Sequence, residues 1–250
     1  MSQKIEGFFL RSTKLKQNVL LVDLYTFQHG RSSFIFTHQK KSPFIFQPFH
    51  FFSFQSNYNP EKKLNRANNQ ELIFPVINIV SDVRKTGLAI LLTEILNKCI
   101  NNFEVSPSLY VHIKKMIISF EHHDFNPVFG IFFVKEILHF FGINPQNNYD
   151  EKSPFFNISN GRFESKKDDF LKTNFPHKEF HQLLGMNNDT IFDMKLSVDK
   201  RREILSLLLE YLSYHEILNQ KQIQSVHVLQ SIYDSKLNLN QIFFFSYWYW

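Results

Sequence analysis

The residues of this sequence best suited to binding a ligand are basic side chains, which are concentrated in the first third of the chain. Residues 1–80 contain ten Lys or Arg and four Asp or Glu, whereas residues 81–250 contain eighteen and nineteen. Because ammonium and guanidinium groups neutralise phosphates and release their counterions, this asymmetry favours a polyanionic partner and salt-sensitive binding. The candidate contacts are Lys14, Lys16, Arg31, Lys40, Lys41, Lys62, Lys63 and Arg66. The alternative interpretation is ordinary solvated surface charge.

Histidine, cysteine and acidic residues offer little for metal or covalent chemistry. His177 and His181 have i, i+4 spacing, but Glu179 does not directly follow the first His, as the zinc-protease motif requires. The single Cys99 excludes an internal disulfide and a Cys-based zinc site, and its apolar neighbours predict that it is buried. No Walker loop, nucleophile elbow or paired-carboxylate cluster appears, so we predict no enzyme activity, metal or cofactor. A metal-dependent nuclease would need a ligand constellation that the sequence lacks.

The elements that position the basic residues are short β-strands. Runs rich in Val, Ile, Phe and Tyr occur at 5–11, 19–25, 33–37, 44–54 and 72–80, and turn residues or the polar stretch 57–70 separate them. Pro48 interrupts the fourth run, which places it at an edge or a bend. Five strands in about eighty residues are typical of a small closed barrel, and an oligonucleotide-binding (OB) barrel is the commonest of that size. The basic candidates mostly fall in its turns.

From Ser81 onward the apolar spacing becomes helical. Stripes at i, i+3, i+4 spacing predict one helix around 88–99 and another that begins at Pro107. A third, from Asn126-Pro127 to about Gly142, is apolar on nearly every face and should be central and buried. Residues 146–180 lack clear periodicity and suit an irregular connection with a short hairpin around Asn160-Gly161. Helical spacing returns at 199–218 and 222–233.

The predicted architecture is α+β: an N-terminal five-stranded OB-fold barrel over 1–80, then an all-α helical domain over 81–240. Residues 241–250 form an aromatic tail of unknown role, for which packing on the helices, ligand binding and an ill-folded extension stay open. No apolar run approaches the roughly 18–20 residues that span a bilayer, and no signal-peptide pattern is present. We therefore expect a soluble, cytoplasmic protein.

Taken in order, several short motifs resemble the bacterial RecO family over residues 3–234. In the barrel they are Gly7-Phe8-Phe9-Leu10-Arg11-Ser12-Thr13-Lys14, Val19-Leu20-Leu21-Val22, Tyr25-Thr26-Phe27-Gln28-His29-Gly30-Arg31, Lys40-Lys41-Ser42 and Phe46-Gln47-Pro48-Phe49. In the helical part they are Ser81-Asp82-Val83-Arg84-Lys85, Leu91-Leu92-Thr93-Glu94-Ile95-Leu96, Phe140-Phe141-Gly142-Ile143-Asn144-Pro145, Leu208-Leu209-Glu210-Tyr211 with His215, and Gln224-Ser225-Val226-His227-Val228-Leu229. Each motif alone is short, and the ordered set carries the resemblance.

The resemblance implies a DNA repair and recombination mediator that does no bond chemistry. RecO proteins bind single- and double-stranded DNA, anneal complementary strands and, with RecR, help to load RecA onto strands coated by single-strand-binding protein. They also dock the acidic, hydrophobic C-terminal tail of single-strand-binding protein in the helical domain, and such a groove needs basic residues at its rim. The rim candidates are Lys114, Lys115, Lys135, Arg201 and Arg202. The implied location is the cytoplasm, at the nucleoid during repair.

Two departures from the family pattern affect the expected function. Many members carry a zinc-binding Cys cluster after the third helix of the helical domain, where residues 145–149 contain no Cys. Members also often place a Gly and a longer basic run after the third strand, whereas residues 37–41 contain no Gly and two Lys. The thin basic run motivates an alternative, an interaction scaffold of the RecR and single-strand-binding protein assembly with weak DNA affinity of its own.

Overall fold

The computed structural model describes residues 2–37, 46–62, 64–100, 105–165, 175–218, 223 and 225. Lys40, Lys41, Lys63, the proposed aromatic tail and nearly all of the predicted helix 222–233 lie outside these residues. Grouping by contacts gives two compact units: unit 1 is Met1–Ile117 with Gln224–Trp250, and unit 2 is Ile118–Ile223. The expected domain boundary after residue 80 stays a prediction. Within the described ranges no helix is long and apolar enough to cross a membrane.

Unit 1 contains the closed five-stranded barrel that the sequence predicts. Its strands are β1 (Gln3–Lys16), β2 (Val19–Thr26), β3 (Gly30–Thr37), β4 (Phe51–Ser56) and β5 (Asn65–Phe74). Their order around the barrel is β1-β2-β3-β5-β4, with β3 and β5 parallel and the other pairs antiparallel. Side chains alternate inward along each strand. The barrel core consists of Ile5, Phe9, Val22, Leu24, Phe34, Phe36, Phe46, Phe52, Phe54 and Ala67.

The fifth strand differs from its prediction. We expected a strand at 72–80 and a polar link at 57–70, but β5 begins at Asn65 and residues 77–81 are helical. Asn65 and Ala67 are buried, whereas Arg66 and Asn68 are exposed. Because its outward residues and one inward residue are polar, the strand carries no apolar alternation for a sequence reading to detect. The fourth strand is also shorter than expected, since β4 starts three residues after Pro48.

Three helices follow the barrel: α1 (Ile77–Ser81), α2 (Val83–Cys99) and α3 (Pro107–His122). Asp82 separates the first two, and its carboxylate caps α2 by accepting the Arg84 backbone N–H at 2.8 Å. Within unit 1, an aromatic cluster on the outside of the barrel packs on α3. The Phe8 ring lies 5.5 Å from Tyr25 and 5.8 Å from Tyr110, and the Tyr25 hydroxyl donates to the Ser106 carbonyl at 3.3 Å. These contacts join α3 to the barrel.

Unit 2 is mainly helical. It contains α4 (Val128–Leu138), a two-stranded hairpin of β6 (Phe155–Asn157) and β7 (Arg162–Glu164), α5 (His177–Leu184) and α6 (Val198–Tyr214). The α4 helix is buried on nearly every face, as predicted, and Phe129 stacks on Phe120 with ring centroids 4.3 Å apart. The hairpin at Asn160-Gly161 is also confirmed, with Gly161 at φ 67°. The structure is therefore α+β, a barrel followed by a helical region.

Candidate nucleic-acid interface

The β1–β2 hairpin carries a basic surface. β1 stops pairing with β4 at Phe8, but it continues along β2 until Lys14 lies opposite Leu20 and Lys16 opposite Val19. Lys14 and Lys16 are exposed. Between residues 11 and 37 the sequence holds Arg11, Lys14, Lys16 and Arg31 and a single carboxylate, that of Asp23. The exposed charges of this surface are therefore positive.

Asp23 is the buried centre of a hydrogen-bonded cluster on three adjacent strands. Its carboxylate accepts from Arg11 Nε at 2.6 Å, from the Ser33 hydroxyl at 2.5 Å and from Arg31 Nη2 at 3.4 Å. Arg11 and Ser33 are its cross-strand neighbours on β1 and β3. The Asp23 side chain is 5% exposed, whereas that of Arg11 is 57% exposed. The cluster thus holds one guanidinium at the surface and leaves no exposed negative charge.

The ionisation of Asp23 follows from these contacts. Burial alone would raise the pKa of Asp23, but the hydrogen bonds from Ser33 and Arg11 and the two nearby guanidinium charges together lower it. The carboxylate is therefore ionised at neutral pH, and it draws both arginines to fixed positions. This residue set was not identified from the sequence. The available signal was that Arg11 and Asp23 flank the predicted turn at Gln17-Asn18 at nearly equal distances.

The described basic candidates fall into two groups. Lys14, Lys16, Lys62 and Arg66 are exposed, and their side chains make no hydrogen bond or ion pair with another described residue. Arg31 is 17% exposed and also donates to the Asn97 carbonyl of α2 at 3.2 Å, so much of its hydrogen-bonding capacity is used inside unit 1. The structure brings Lys14 and Lys16 together on one hairpin, while Lys62 and Arg66 lie before and on β5. Their role as DNA contacts stays a prediction.

The barrel aromatics are part of its packing. Tyr25 and Phe34 are 0% exposed and Phe36 is 1% exposed, so they cannot stack on bases. An interface on this barrel that uses the described cations would therefore contact phosphates, which are the same for every base.

The peptide-rim candidates have different surroundings. In unit 1 the Lys114 ammonium lies 5.6 Å from the Phe51 ring centre, and Lys115 is exposed. In unit 2 the Lys135 side chain is 8% exposed and donates to Glu136 at 2.5 Å and to the Met186 carbonyl at 3.1 Å. Arg201 donates to the Leu196 carbonyl at 2.6 Å, and Arg202 lies 3.8 Å from Asp199. The five residues are divided between the two units.

Unit 2 also contains a mostly polar cleft. Its volume is about 520 Å³, and it lies beside the second half of α4 and the chain that follows it. Its lining residues are Lys135, Glu136, His139, Asn144, Pro145, Gln146, Asn147 and Leu184. Lys135 is the peptide-rim candidate that borders this cleft.

The histidine pair serves the local fold. His177 Nδ1 accepts the Phe156 backbone N–H at 3.2 Å, and His181 Nδ1 is hydrogen-bonded to Asn147 Oδ1 at 2.6 Å. In the described part of the chain, no group of three or more His, Cys, Asp or Glu could hold a metal ion. Cys99 is buried as predicted, and burial raises the pKa of its thiol to about 12, so it is not a reactive thiolate at neutral pH.

Comparison with known proteins yields full-length relatives, although no family model matches the chain. A protein of Bacteroides fragilis is 25% identical over 249 residues, covering 94% of this chain and 100% of that protein. One from Azobacteroides pseudotrichonymphae is 22% identical with the same coverages, and one from Flavobacterium psychrophilum is 23% identical over 93% of this chain and 100% of its own. Each of these relatives is named DNA repair protein RecO. The chain is similar to RecO proteins over nearly its whole length.

The similarity to RecO proteins extends over both parts of the chain. The matches cover whole relatives, so they include the barrel and the helical region alike. The family name associates the protein with DNA repair, and the basic hairpin is the described surface of the barrel that best suits an anionic polymer.

Proposed function

We propose that this protein is a DNA repair and recombination mediator that binds single- and double-stranded DNA through the basic surface of its barrel. On this proposal it promotes strand annealing and, with RecR, helps to load RecA onto DNA coated by single-strand-binding protein at the nucleoid. The supporting observation is the β1–β2 hairpin, in which Lys14 and Lys16 are exposed and the single carboxylate between residues 11 and 37, that of Asp23, is buried. The proposed mechanism is electrostatic and makes or breaks no bond.

Phosphate contacts explain how one surface would serve annealing. Lysine ammonium groups neutralise the backbone of either strand, which lowers the repulsion between two strands and allows base pairing to proceed. Because the rings of Tyr25, Phe34 and Phe36 are buried, they would leave the bases available to pair. The same argument gives little preference for sequence.

Reversing the hairpin charge tests this interface. The double variant Lys14→Glu/Lys16→Glu should weaken binding to a labelled oligonucleotide by at least tenfold at low salt and should reduce the salt dependence by about two phosphate contacts. The measurement is fluorescence anisotropy across a salt series. A matched control is Lys152→Glu/Lys178→Glu, two exposed lysines of unit 2, which should have a much smaller effect. Equal losses in the two double variants would contradict the proposed interface.

The interaction scaffold remains a second candidate, and one structural observation favours it. Arg31 is largely engaged with Asp23 and Asn97, which leaves fewer exposed cations on the described barrel than the sequence suggested. An annealing assay separates the two functions. Annealing above background by this protein alone supports the mediator, whereas annealing only after addition of RecR supports the scaffold.

We also propose that the helical region docks the acidic C-terminal tail of single-strand-binding protein. Arg201 and Arg202 are partly exposed residues in the first half of α6, and they would offer positive charge to such a peptide. Titration with a labelled tail peptide should show several-fold weaker binding by Arg201→Glu/Arg202→Glu, with Lys114→Glu/Lys115→Glu as the comparison in unit 1. Full affinity of the Arg201/Arg202 variant would exclude this pair.

A further inference from the structure

We propose that Arg11 is a phosphodiester-binding residue of the barrel and that Asp23 is the residue that positions it. This inference rests on the proposed DNA-binding function and deepens it by naming the anchoring group and its support. Arg11 is absent from the sequence-based set of contacts, and it joins that set because of its bonding in the folded barrel.

The bonding of Arg11 leaves its phosphate-binding atoms exposed. Nε donates to Asp23 Oδ2 at 2.6 Å, and no other described residue makes a hydrogen bond or ion pair with this side chain. A guanidinium has five N–H donors in a planar fork, so the two terminal nitrogens remain for a ligand. With 57% of the side chain exposed, they are accessible. Two parallel N–H groups match the geometry of two phosphate oxygens.

The support beneath Arg11 is itself fixed. Asp23 Oδ1 is held by the Ser33 hydroxyl at 2.5 Å, while Arg31 approaches Oδ2 at 3.4 Å and is anchored to the Asn97 carbonyl at 3.2 Å. The carboxylate therefore has partners on both oxygens and cannot turn away from Arg11. One carboxylate between two guanidinium groups leaves a net positive charge, so the arrangement orients Arg11 without cancelling the attraction for an anion.

Arg11 lies on the same stretch of β1 as the exposed lysines. Arg11, Lys14 and Lys16 follow one another on β1, where a rise of about 3.3 Å per residue spreads them over about 17 Å. All three lie beyond Phe8, the last residue that β1 pairs with β4. This stretch of β1 thus carries three exposed cations, of which Arg11 is the one that a described partner holds in a fixed orientation.

One substitution gives opposite results under positioning and under simple charge attraction. Asp23→Asn makes the barrel one unit more positive, so a surface that acts by charge alone should bind DNA more tightly. If Asp23 positions Arg11, the same variant should bind several-fold more weakly. The sign of the change therefore decides whether orientation matters.

The experiment measures binding of the full chain to a labelled mixed-sequence single strand and to its duplex over a salt series. Arg11→Gln should weaken binding about tenfold and lower the slope of log affinity against log salt by about 0.9 for duplex and 0.7 for single strand. Arg11→Lys should keep the slope and lose part of the affinity, because it retains the charge without the fork. In the double variant Arg11→Gln/Asp23→Asn, the Asp23 substitution should add little to the loss of DNA affinity that Arg11→Gln causes alone.

Arg84→Gln is the matched control. Arg84 is also an exposed arginine of unit 1 that bonds an aspartate, with Nη2 2.7 Å from Asp82 and 62% of its side chain exposed, but it lies on α2. It should leave the salt slope unchanged. A merely structural role for Arg11 would lower the unfolding temperature without changing the slope, so thermal unfolding of each variant is measured alongside.

The outcomes separate this inference from the function on which it rests. If the wild-type protein binds DNA but Arg11→Gln has the same salt slope as the wild type, the role of Arg11 is overturned and the proposed function stands. Tighter binding by Asp23→Asn would overturn the positioning role. Absence of DNA binding by the wild type would overturn the proposed function itself. If Asp23→Asn fails to fold, the exposed Arg11 variants still decide the role of Arg11, and Ser33→Ala, which removes the other support of Asp23, decides positioning by the same weakening.

Discussion

At the scale of single residues, Asp23 links the stability of the barrel to pH. Its pKa is lowered in the folded state because hydrogen bonds and guanidinium charges outweigh its burial. The unfolded chain, with a pKa near 3.9, therefore binds the proton more tightly than the folded chain does. The stabilisation is fully present above the unfolded pKa, and it is lost as the pH falls through the lower folded value.

Asp23→Asn should therefore destabilise the protein at neutral pH by about 1–3 kcal/mol, since Arg31 and Ser33 lose a charged acceptor. The difference from wild type should begin to shrink as the pH falls below about 4, where the carboxyl of the unfolded chain takes up a proton, and should be lost as the pH falls through the lower folded pKa. Urea unfolding at several pH values between neutral and acid measures both the loss of stability at neutral pH and its decrease toward acid pH. A destabilisation that stays constant across that range would show that packing, and not charge, is responsible.

At the scale of elements, the β6–β7 hairpin of unit 2 depends on a glycine. Gly161 has φ 67°, and a Cβ at this position would lie 2.3 Å from the hydroxyl of Tyr211 on α6. Tyr211 is 3% exposed and packs on Phe156 of β6, with ring centroids 5.9 Å apart, so it has little room to move. The hairpin can contact α6 this closely only without a side chain at the turn.

Gly161→Ala should cost about 2–4 kcal/mol, combining the left-handed backbone penalty with overpacking. Adding Tyr211→Phe removes the atom that clashes, so the double variant should recover part of the loss and retain about 1–2 kcal/mol from the backbone alone. Thermal or urea unfolding of the single and double variants gives the comparison. Equal stability of Gly161→Ala and the double variant would locate the whole cost in the backbone.

Elements with a regular apolar pattern were predicted from the sequence, and elements without one were not. Helices with clear stripes, such as α2 and α4, were predicted because their burial leaves a regular pattern in residue type. β5 was not, because its Asn- and Gln-rich residues gain their positions from pairing with β3 and β4. Arg11 was missed for a related reason. Its orientation depends on Asp23 and Ser33, which lie beside it on the next two strands. The strand register that brings these residues together is set by the closed barrel and not by local composition.

At the scale of the whole molecule, charge is divided between parts of the chain. The positive excess lies in the first 80 residues, all of which belong to unit 1, while residues 81–250 are nearly balanced. The proposed functions follow that division, with DNA on the barrel and a peptide on α6 of unit 2. Long-range attraction to DNA would then act on one part of the molecule.

Unit 1 is discontinuous, and that has a consequence for its synthesis. Ser225 donates its backbone N–H to Glu94 of α2 at 2.9 Å, so a residue encoded after all of unit 2 contributes to the unit that holds the barrel. On the ribosome, the barrel has all its strands once residue 74 has emerged, but this contact waits until the rest of the chain has been translated. Unit 1 is thus begun first and completed last. A premature stop codon just before position 225 would therefore remove a contact from unit 1, although the strands of that unit are translated first.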